Sequence, residues 1–360
     1  MIKQIKNSYC CVGLMSGTSL DGLDIVLCRF DYQSGRWEYN LLKAQTVGYP
    51  SDWKMLLADA PELSGRALMQ LHRDYGRWTG EVVLDFLSDC ADRPDFIASH
   101  GHTVFHEPHK QLNFQLGDGA MIAAITGLTT LSDFRSLDIC LNGQGAPLVP
   151  IGDDLLFHDY AACVNIGGFA NVSCCREGRR IAWDICPVNF VINHLVAAKG
   201  MSMDRNGELG AGGRILPDLL AALNSLNYYY VAAPKSLGQE WVDGIFWPLI
   251  KPYAAHPLPD ILRTLYEHFS DVMSFDLQPF TEDDRILFTG GGVYNTFLMQ
   301  LLQTKLRASM VVPNAELVEY KEAIVFAFLG VLRHRREVNC LQGVTGASDN
   351  SCSGGEIVRG

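Results

Sequence analysis

Apolar and polar positions follow one another along this chain in blocks that read as strands and helices in turn. Residues 9–15 are an apolar run, 16–22 a polar stretch of Gly, Ser, Thr and Asp, and 23–30 a second apolar run rich in β-formers. Trp37 to Val47 supplies a third strand. From Glu62 to Cys90 the apolar residues Leu68, Leu71, Tyr75, Trp78, Val82, Val83, Phe86 and Leu87 recur mostly at steps of three and four, which predicts a helix. A strand at Asp95 to Ser99 follows, then a Gly-bounded helix and a short strand within 116–132. Residues 133–150, with Gly143, Gly145, Pro147 and Pro150, read as an irregular junction between domains.

The opening pattern then returns. Ala161 to Ile166 is apolar, Gly167 to Asn171 a turn and Val172 to Cys175 apolar; after Glu177-Gly178 a further strand runs from Arg180 to Ile185. The two copies share pattern rather than identity, which points to a duplicated β-turn-β-β unit. Helices are expected near 188–199, 213–226, 239–251 and 258–275, then a strand at Arg285 to Thr289, a helix from Tyr294 and a last helix from Lys321 to Arg335. Interleaved strands and helices make the class α/β. The expected domains are 1–150 and 151–340, the last helix being able to pack back on the first, with 341–360 a polar, Gly/Ser-rich tail that frays or forms an appendage.

At about 150 residues per domain, 360 residues suit two domains. With 48% hydrophobic and 19% charged residues the chain can bury a sizeable core. A net charge of -11 without a basic patch argues against nucleic acid and anionic membrane surfaces and favours a small-molecule partner. Eleven cysteines, mostly inside apolar runs and never as CxxC, read as reduced, buried thiols of a cytoplasmic protein. No apolar run reaches membrane-spanning length.

Three glycine turns carry the first chemical signals. Gly17-Thr18-Ser19-Leu20-Asp21-Gly22 can converge backbone N–H groups and two hydroxyls on a phosphate, with Asp21 holding hydrated Mg²⁺; the same residues also make an ordinary hairpin turn. Asn165, Gly167 and Gly168 stand at the equivalent turn of the second copy, and two such hairpins, one per domain, can grip a polyphosphate from both sides. Gly290-Gly291-Gly292, with Asn295, joins a strand to a helix and either packs against a nucleotide or simply turns the chain. None of these is a Walker A sequence.

Polar side chains suggest a substrate site. The run from His100 to His109 has no zinc spacing, so His100 and Thr103 are read as strand-end groups facing a polar substrate, or as exposed loop residues. Arg135 can pair bidentately with a substrate carboxylate or with Asp138. Asp184 ends a strand, where a carboxylate serves as general base or caps a helix. Glu322, at the start of the last helix, is a binding acid or a first-turn Glu favoured by the helix dipole.

Taken in order, GLMSGTSLDGLD, HGHT, DFRSLD, GQGAPLVP, NIGGFANVS, TGGG with Asn295, and KEAIVFAFLG resemble the anhydro-N-acetylmuramic acid kinases, within the actin, sugar-kinase and Hsp70 superfamily, from Gly13 to about Gly330. The resemblance implies a two-domain actin-like ATPase fold with a duplicated β-β-β-α-β-α-β core and an interdomain cleft. It implies ATP and Mg²⁺ as cofactors, an anhydro amino sugar as substrate and a homodimer. It also implies hydrolytic opening of the anhydro ring with phosphorylation of the sixth-carbon hydroxyl, Asp184 as base. Where the family pattern reads DTGPGN this chain has Asp184-Ile185-Cys186-Pro187-Val188-Asn189, the acid nine positions after the first is Asn193, and HGQT has become HGHT. A kinase for another amino sugar or small acid, and a nucleotide-binding regulator without turnover, are the alternatives the same motifs allow.

Overall fold

The structure, a computed structural model, describes residues 6–17, 20–233, 235–349 and 352–360. Among these, strands form two sheets built on one plan. In the first, β1 (Ser8–Ser16), β2 (Gly22–Gln33) and β3 (Arg36–Gly48) make an antiparallel meander. Next to β1 and parallel to it lies β4 (Phe96–Glu107), which pairs antiparallel with β5 (Leu112–Leu116) and parallel with β6 (Thr130–Ser132). The second sheet repeats this: β7 (Ala162–Ile166), β8 (Phe169–Arg176) and β9 (Arg179–Pro187) form the meander, and β10 (Arg285–Thr289) and β11 (Ser309–Val311) add in parallel beside β7. The orders 3-2-1-4-6 and 9-8-7-10-11 are the same topology twice, the duplicated actin-like plan expected from the sequence.

The chain divides elsewhere than at 150. One unit comprises Met1–Leu156 with Tyr320–Gly360, the other Phe157–Glu319. The helix Pro150–Leu155 stays with the first unit because its buried residues, Ile151 and Asp153 among them, pack there: Lys321 pairs with Asp153 at 2.6 Å, both nearly fully buried. The tail also departs from expectation. Gln342–Thr345 is helical, and β12 (Glu356–Val358) pairs antiparallel with β6. Its polar composition misled because the polar groups are satisfied at long range: Asn339 exchanges bonds with the Gly354 backbone at 2.7 and 2.8 Å, an alternative to water that sequence does not display.

The last long helix, Ala315–Arg335, buries nearly every side chain from Ala323 to Leu332, as expected of a helix that is apolar all round. It meets β1 at Gly13, where a Cβ would stand 2.2 Å from the Ala323 carbonyl oxygen. No helix among the described residues is long and apolar enough to cross a membrane. Gly13→Ala is therefore expected to push helix from strand and cost on the order of 1–3 kcal/mol or more, as overpacking does; urea unfolding of the variant measures it, and an unchanged midpoint would show that the contact yields freely.

Candidate active site

In the first unit the turn after β1 runs from Gly17 to Asp21; Thr18 and Ser19 lie outside the described residues. Tyr49 ties both ends of this turn. Its hydroxyl donates to Ser16 Oγ at 2.7 Å and its N–H to the Asp21 carbonyl at 3.4 Å. Ser16 is buried and also meets His102 Nδ1 at 2.9 Å, while the Tyr75 hydroxyl lies 2.5 Å from that of Tyr49. Burial lowers the His102 pKa, so the ring is held neutral. This Tyr75–Tyr49–Ser16–His102 chain escaped sequence reasoning, because Tyr75 reads as one of the apolar positions of its helix and Tyr49 lies past the third strand, outside any motif. Gly22 closes the turn, and the exposed Asp21 carboxylate stands at its rim.

Opposite Ser16, β4 carries one extra residue: Leu14 pairs with Ser99 but Ser16 with His102. Gly101 makes this bulge at φ +76°, where a Cβ would lie 2.4 Å from the Leu116 carbonyl oxygen. A bulge re-aims side chains. His102 thus meets Ser16, whereas His100 meets Arg135, whose Nε and Nη2 donate to His100 Nε2 at 3.0 and 2.8 Å. Nε2 must then be the unprotonated nitrogen, leaving the proton on the buried Nδ1, which among the described residues has no hydrogen bond of normal geometry. Burial first, then the Arg135 charge, pushes the His100 pKa well below the ordinary histidine value.

Arg135 Nη1 donates to the Gly145 carbonyl at 3.0 Å. Three of its five N–H groups are thereby used, and two remain for an acceptor. The pairing of Arg135 with Asp138 allowed by the sequence is not formed, since Asp138 accepts instead from the Gly145 N–H, Cys340 and Thr345. Burial lowers the Arg135 pKa to about 10, with Glu322 opposing, so the guanidinium stays charged at neutral pH. Glu322 is exposed, yet protein packed around its carboxyl pushes its pKa up against the pull of Lys321 and Arg135. Thr103 is half-buried beyond the bulge, in register with Gln115. His100 lines a cavity of about 210 Å³ with Ser99, Gly101, Asp133 and Ser136.

In the second unit the counterpart turn is tighter. Gly167 and Gly168 join β7 to β8, and the Gly168 carbonyl accepts the N–H groups of Val188 and Phe190 at 2.8 and 3.1 Å, seating the turn on the start of the helix Asn189–Ala197. The Gly290–Gly292 turn lies directly against the end of β7. A Cβ at Gly290, where φ is +83°, would stand 2.4 Å from Asn165 Oδ1, and one at Gly292 2.3 Å from Ile166 Cγ2. Nothing lies within 4 Å of the Cβ position at Gly291, so its backbone is open to a ligand. Asn295 is engaged internally: Oδ1 accepts the Leu298 N–H at 3.0 Å, capping the helix Thr296–Lys305, and Nδ2 donates to Tyr266 at 2.9 Å. Tyr266 in turn donates to Asp204, which with Arg205 and Glu208 lines an open cavity of about 550 Å³.

Asp184, on β9, is fixed by its backbone. Its N–H donates to the Lys235 carbonyl at 3.0 Å and its carbonyl accepts the Tyr228 hydroxyl at 2.7 Å. Oδ2 accepts the Leu237 N–H at 2.9 Å, and among the described residues Oδ1 has no hydrogen-bond donor. Burial raises the carboxyl pKa, with the Leu237 bond opposing. A rigid carboxylate with one uncommitted oxygen and a raised pKa is equipped to take a proton.

Residues 9–358 match the family model described as anhydro-N-acetylmuramic acid kinase. A protein of that name from Shewanella sp. (strain W3-18-1) is 34% identical, the alignment covering 98% of this chain and 99% of the relative. Another, from Pseudomonas paraeruginosa, is 35% identical over 94% and 95%. Among solved structures, the ADPNP-bound activator of the 2-hydroxyisocaproyl-CoA dehydratase from Clostridium difficile aligns over 91% of this chain and 98% of its own, with 12% identity and a TM-score of 0.42.

The two bonds of Asn295 make a structural test available. Asn295→Ala removes a helix cap and the partner of Tyr266, and is expected to lower stability by about 1–2 kcal/mol. Denaturant unfolding reads this directly; a residue that only contacted ligand would leave the midpoint in place.

Proposed function

Because this chain belongs to the anhydro-N-acetylmuramic acid kinase family, we propose that it opens the anhydro ring of anhydro-N-acetylmuramic acid with water and phosphorylates the sixth-carbon hydroxyl. The product is N-acetylmuramic acid 6-phosphate, an intermediate of cell-wall sugar recycling, and the enzyme is a phosphotransferase with an alcohol acceptor. ATP supplies the phosphoryl group. The observation that carries the hydrolytic half is Asp184, with its backbone clamped and Oδ1 uncommitted.

In this reading Asp184 removes a proton from the water that attacks the anomeric carbon, and the bridging sixth-carbon oxygen, released from that carbon, takes the terminal phosphoryl group of ATP as ADP leaves. The raised pKa matches the task, since a base is most effective when its pKa approaches the working pH. Arg135 offers its two remaining N–H groups to the acid group of the sugar, held in place by His100 and Gly145, while Glu322 accepts from a sugar hydroxyl or amide. His100 contributes Nδ1–H, which has no hydrogen bond of normal geometry among the described residues, and Thr103 a hydroxyl. Phosphoryl transfer asks mainly for positioning and neutralisation of charge. For the phosphates we assign Gly17, Thr18, Ser19, Asp21 and Gly22 in the first unit and Asn165, Gly167 and Gly168 in the second. We assign Gly290, Gly291 and Gly292 to the nucleoside, Gly291 offering its open backbone while Gly290 and Gly292 seat the turn against Asn165 and Ile166 and Asn295 holds it.

Asp21 is an exposed carboxylate at the rim of the first turn, an oxygen donor of the type a hard cation takes, and would hold Mg²⁺ through water. Mg²⁺ would supply neutralisation of phosphate charge. A homodimer and a cytoplasmic setting belong to the same proposal and rest on the family resemblance.

Asp184→Asn is nearly isosteric and should keep sugar and nucleotide binding while turnover falls by about 10²- to 10⁴-fold. In ¹⁸O-water the wild-type product should carry label at the anomeric oxygen. Near-normal turnover, or product without solvent oxygen, would leave an ordinary sugar kinase. The acid side of the pH–rate profile follows from the raised Asp184 pKa: the base form disappears as pH falls through that pKa, so activity should fail at a higher pH than an ordinary aspartate would give.

The sugar assignment is tested separately. Arg135→Ala and Glu322→Ala should weaken sugar binding far more than ATP binding, each lost charge-assisted bond costing about 1.5–3 kcal/mol. Calorimetry with each ligand decides it, and unchanged sugar affinity in both variants means that these are structural ion pairs.

A further inference from the structure

One polar cluster lies outside every role assigned above. Asp138, Cys340 and Cys352 are each at most 2% exposed, and one carboxylate oxygen and the two sulfurs all lie within 4.8 Å of one another. The three come from separate stretches of chain: the short helix Ser136–Cys140, the residues following the last long helix, and the segment leading into β12.

The donor set selects a class of ligand. Two sulfurs with one carboxylate suit a borderline-soft divalent cation such as Zn²⁺, whereas Mg²⁺ and Ca²⁺ take oxygen sets. With Zn–S near 2.3 Å and Zn–O near 2.0–2.2 Å, tetrahedral ligand atoms stand about 3.4–3.8 Å apart, so Cys340 Sγ and Asp138 Oδ1, now 2.8 Å apart, would separate by under about 1 Å to admit the ion, while all three ligand atoms already lie within 4.8 Å of one another. The carboxylate is already oriented. Gly145 N–H donates to Oδ2 at 2.7 Å, and the Thr345 hydroxyl to Oδ1 at 2.8 Å, the outer contacts that fix a ligating carboxylate. Cys340 Sγ is 2.8 Å from Oδ1, so the two groups converge.

We propose that Asp138, Cys340 and Cys352 form a binding site for a thiophilic divalent cation of the Zn²⁺ type, which staples the C-terminal segment to the first unit. The fourth position is left to a water molecule. Gly145 links this site to Arg135: its N–H orients Asp138 while its carbonyl accepts Arg135 Nη1. The cation site therefore stands one peptide unit behind the Arg135 guanidinium. The inference does not depend on the kinase assignment.

The test uses the full chain, reduced and stripped of metal, titrated with Zn²⁺ alone and with Co²⁺ as a spectroscopic probe. One equivalent of Zn²⁺ should bind per chain and raise the thermal midpoint, reversed by chelator. Co²⁺ should produce a thiolate-to-metal charge-transfer band. Cys340→Ser and Cys352→Ser should each weaken Zn²⁺ binding by on the order of 10- to 100-fold or more and reduce that band. If either variant fails to fold, the wild-type Co²⁺ spectrum and Cys352→Ala decide. Failure of the reduced wild type to bind Zn²⁺, binding unchanged in the variants, or a Co²⁺ spectrum without thiolate character would each overturn the site. A Cys340–Cys352 disulfide found by peptide mapping, in a chain that takes no Zn²⁺ once reduced, would replace it with a disulfide staple.

Discussion

The close seating of the last long helix on β1 is the constraint on which the first unit depends. At Gly13 the helix backbone approaches to a distance that no side chain tolerates, and from there Ala323 to Leu332 are buried almost without interruption. Each large apolar side chain buried in this way contributes roughly 1.5–3 kcal/mol. The seating also sets the chemistry. Glu322, one residue before Ala323, is brought close enough to Arg135 for each to move the other's pKa. The helix then delivers the chain to the first unit a second time, so that β12 can pair with β6.

Around that helix, several buried polar groups are joined in one hydrogen-bonded chain. His100 accepts from Arg135, Arg135 donates to Gly145, Gly145 donates to Asp138, and Asp138 accepts from Thr345 and Cys340. A buried polar group left unpaired costs about 1–3 kcal/mol, so such a chain resists rearrangement of any single member. The result is a guanidinium held rigidly with two donors to spare. His100 Nδ1 departs from this, as do the Thr79 and Ser353 hydroxyls: among the described residues these buried atoms have no hydrogen bond of normal geometry.

The two glycine turns share a topological position and differ in support. The first is long, and Tyr49 grips both its ends; the second is two residues, seated on the start of a helix. Glycine serves different ends in each unit. At Gly101 it permits the bulge that separates the tasks of His100 and His102, and at Gly290 it lets one turn press against Asn165. Both are demands of close approach, which a motif signals only as the presence of glycine.

The sequence alone determined the α/β class, the duplicated strand pattern and the glycine turns, since these follow from residue type and from periods of two and of three to four. The family, too, was legible in the order of the motifs. Partner choice was not. Arg135 was free on paper to pair with Asp138; the fold gives it His100 and Gly145 because a bulge and a glycine-rich crossing bring those groups nearer. Asn295 read as a ligand contact, yet its amide is spent on a helix cap and Tyr266. The tail read as solvated, yet Cys340, Cys352 and Asn339 are buried. In each case the deciding contact lies far away along the chain. Local composition states what a side chain can bond to, and only the tertiary structure decides which of those partners is within reach.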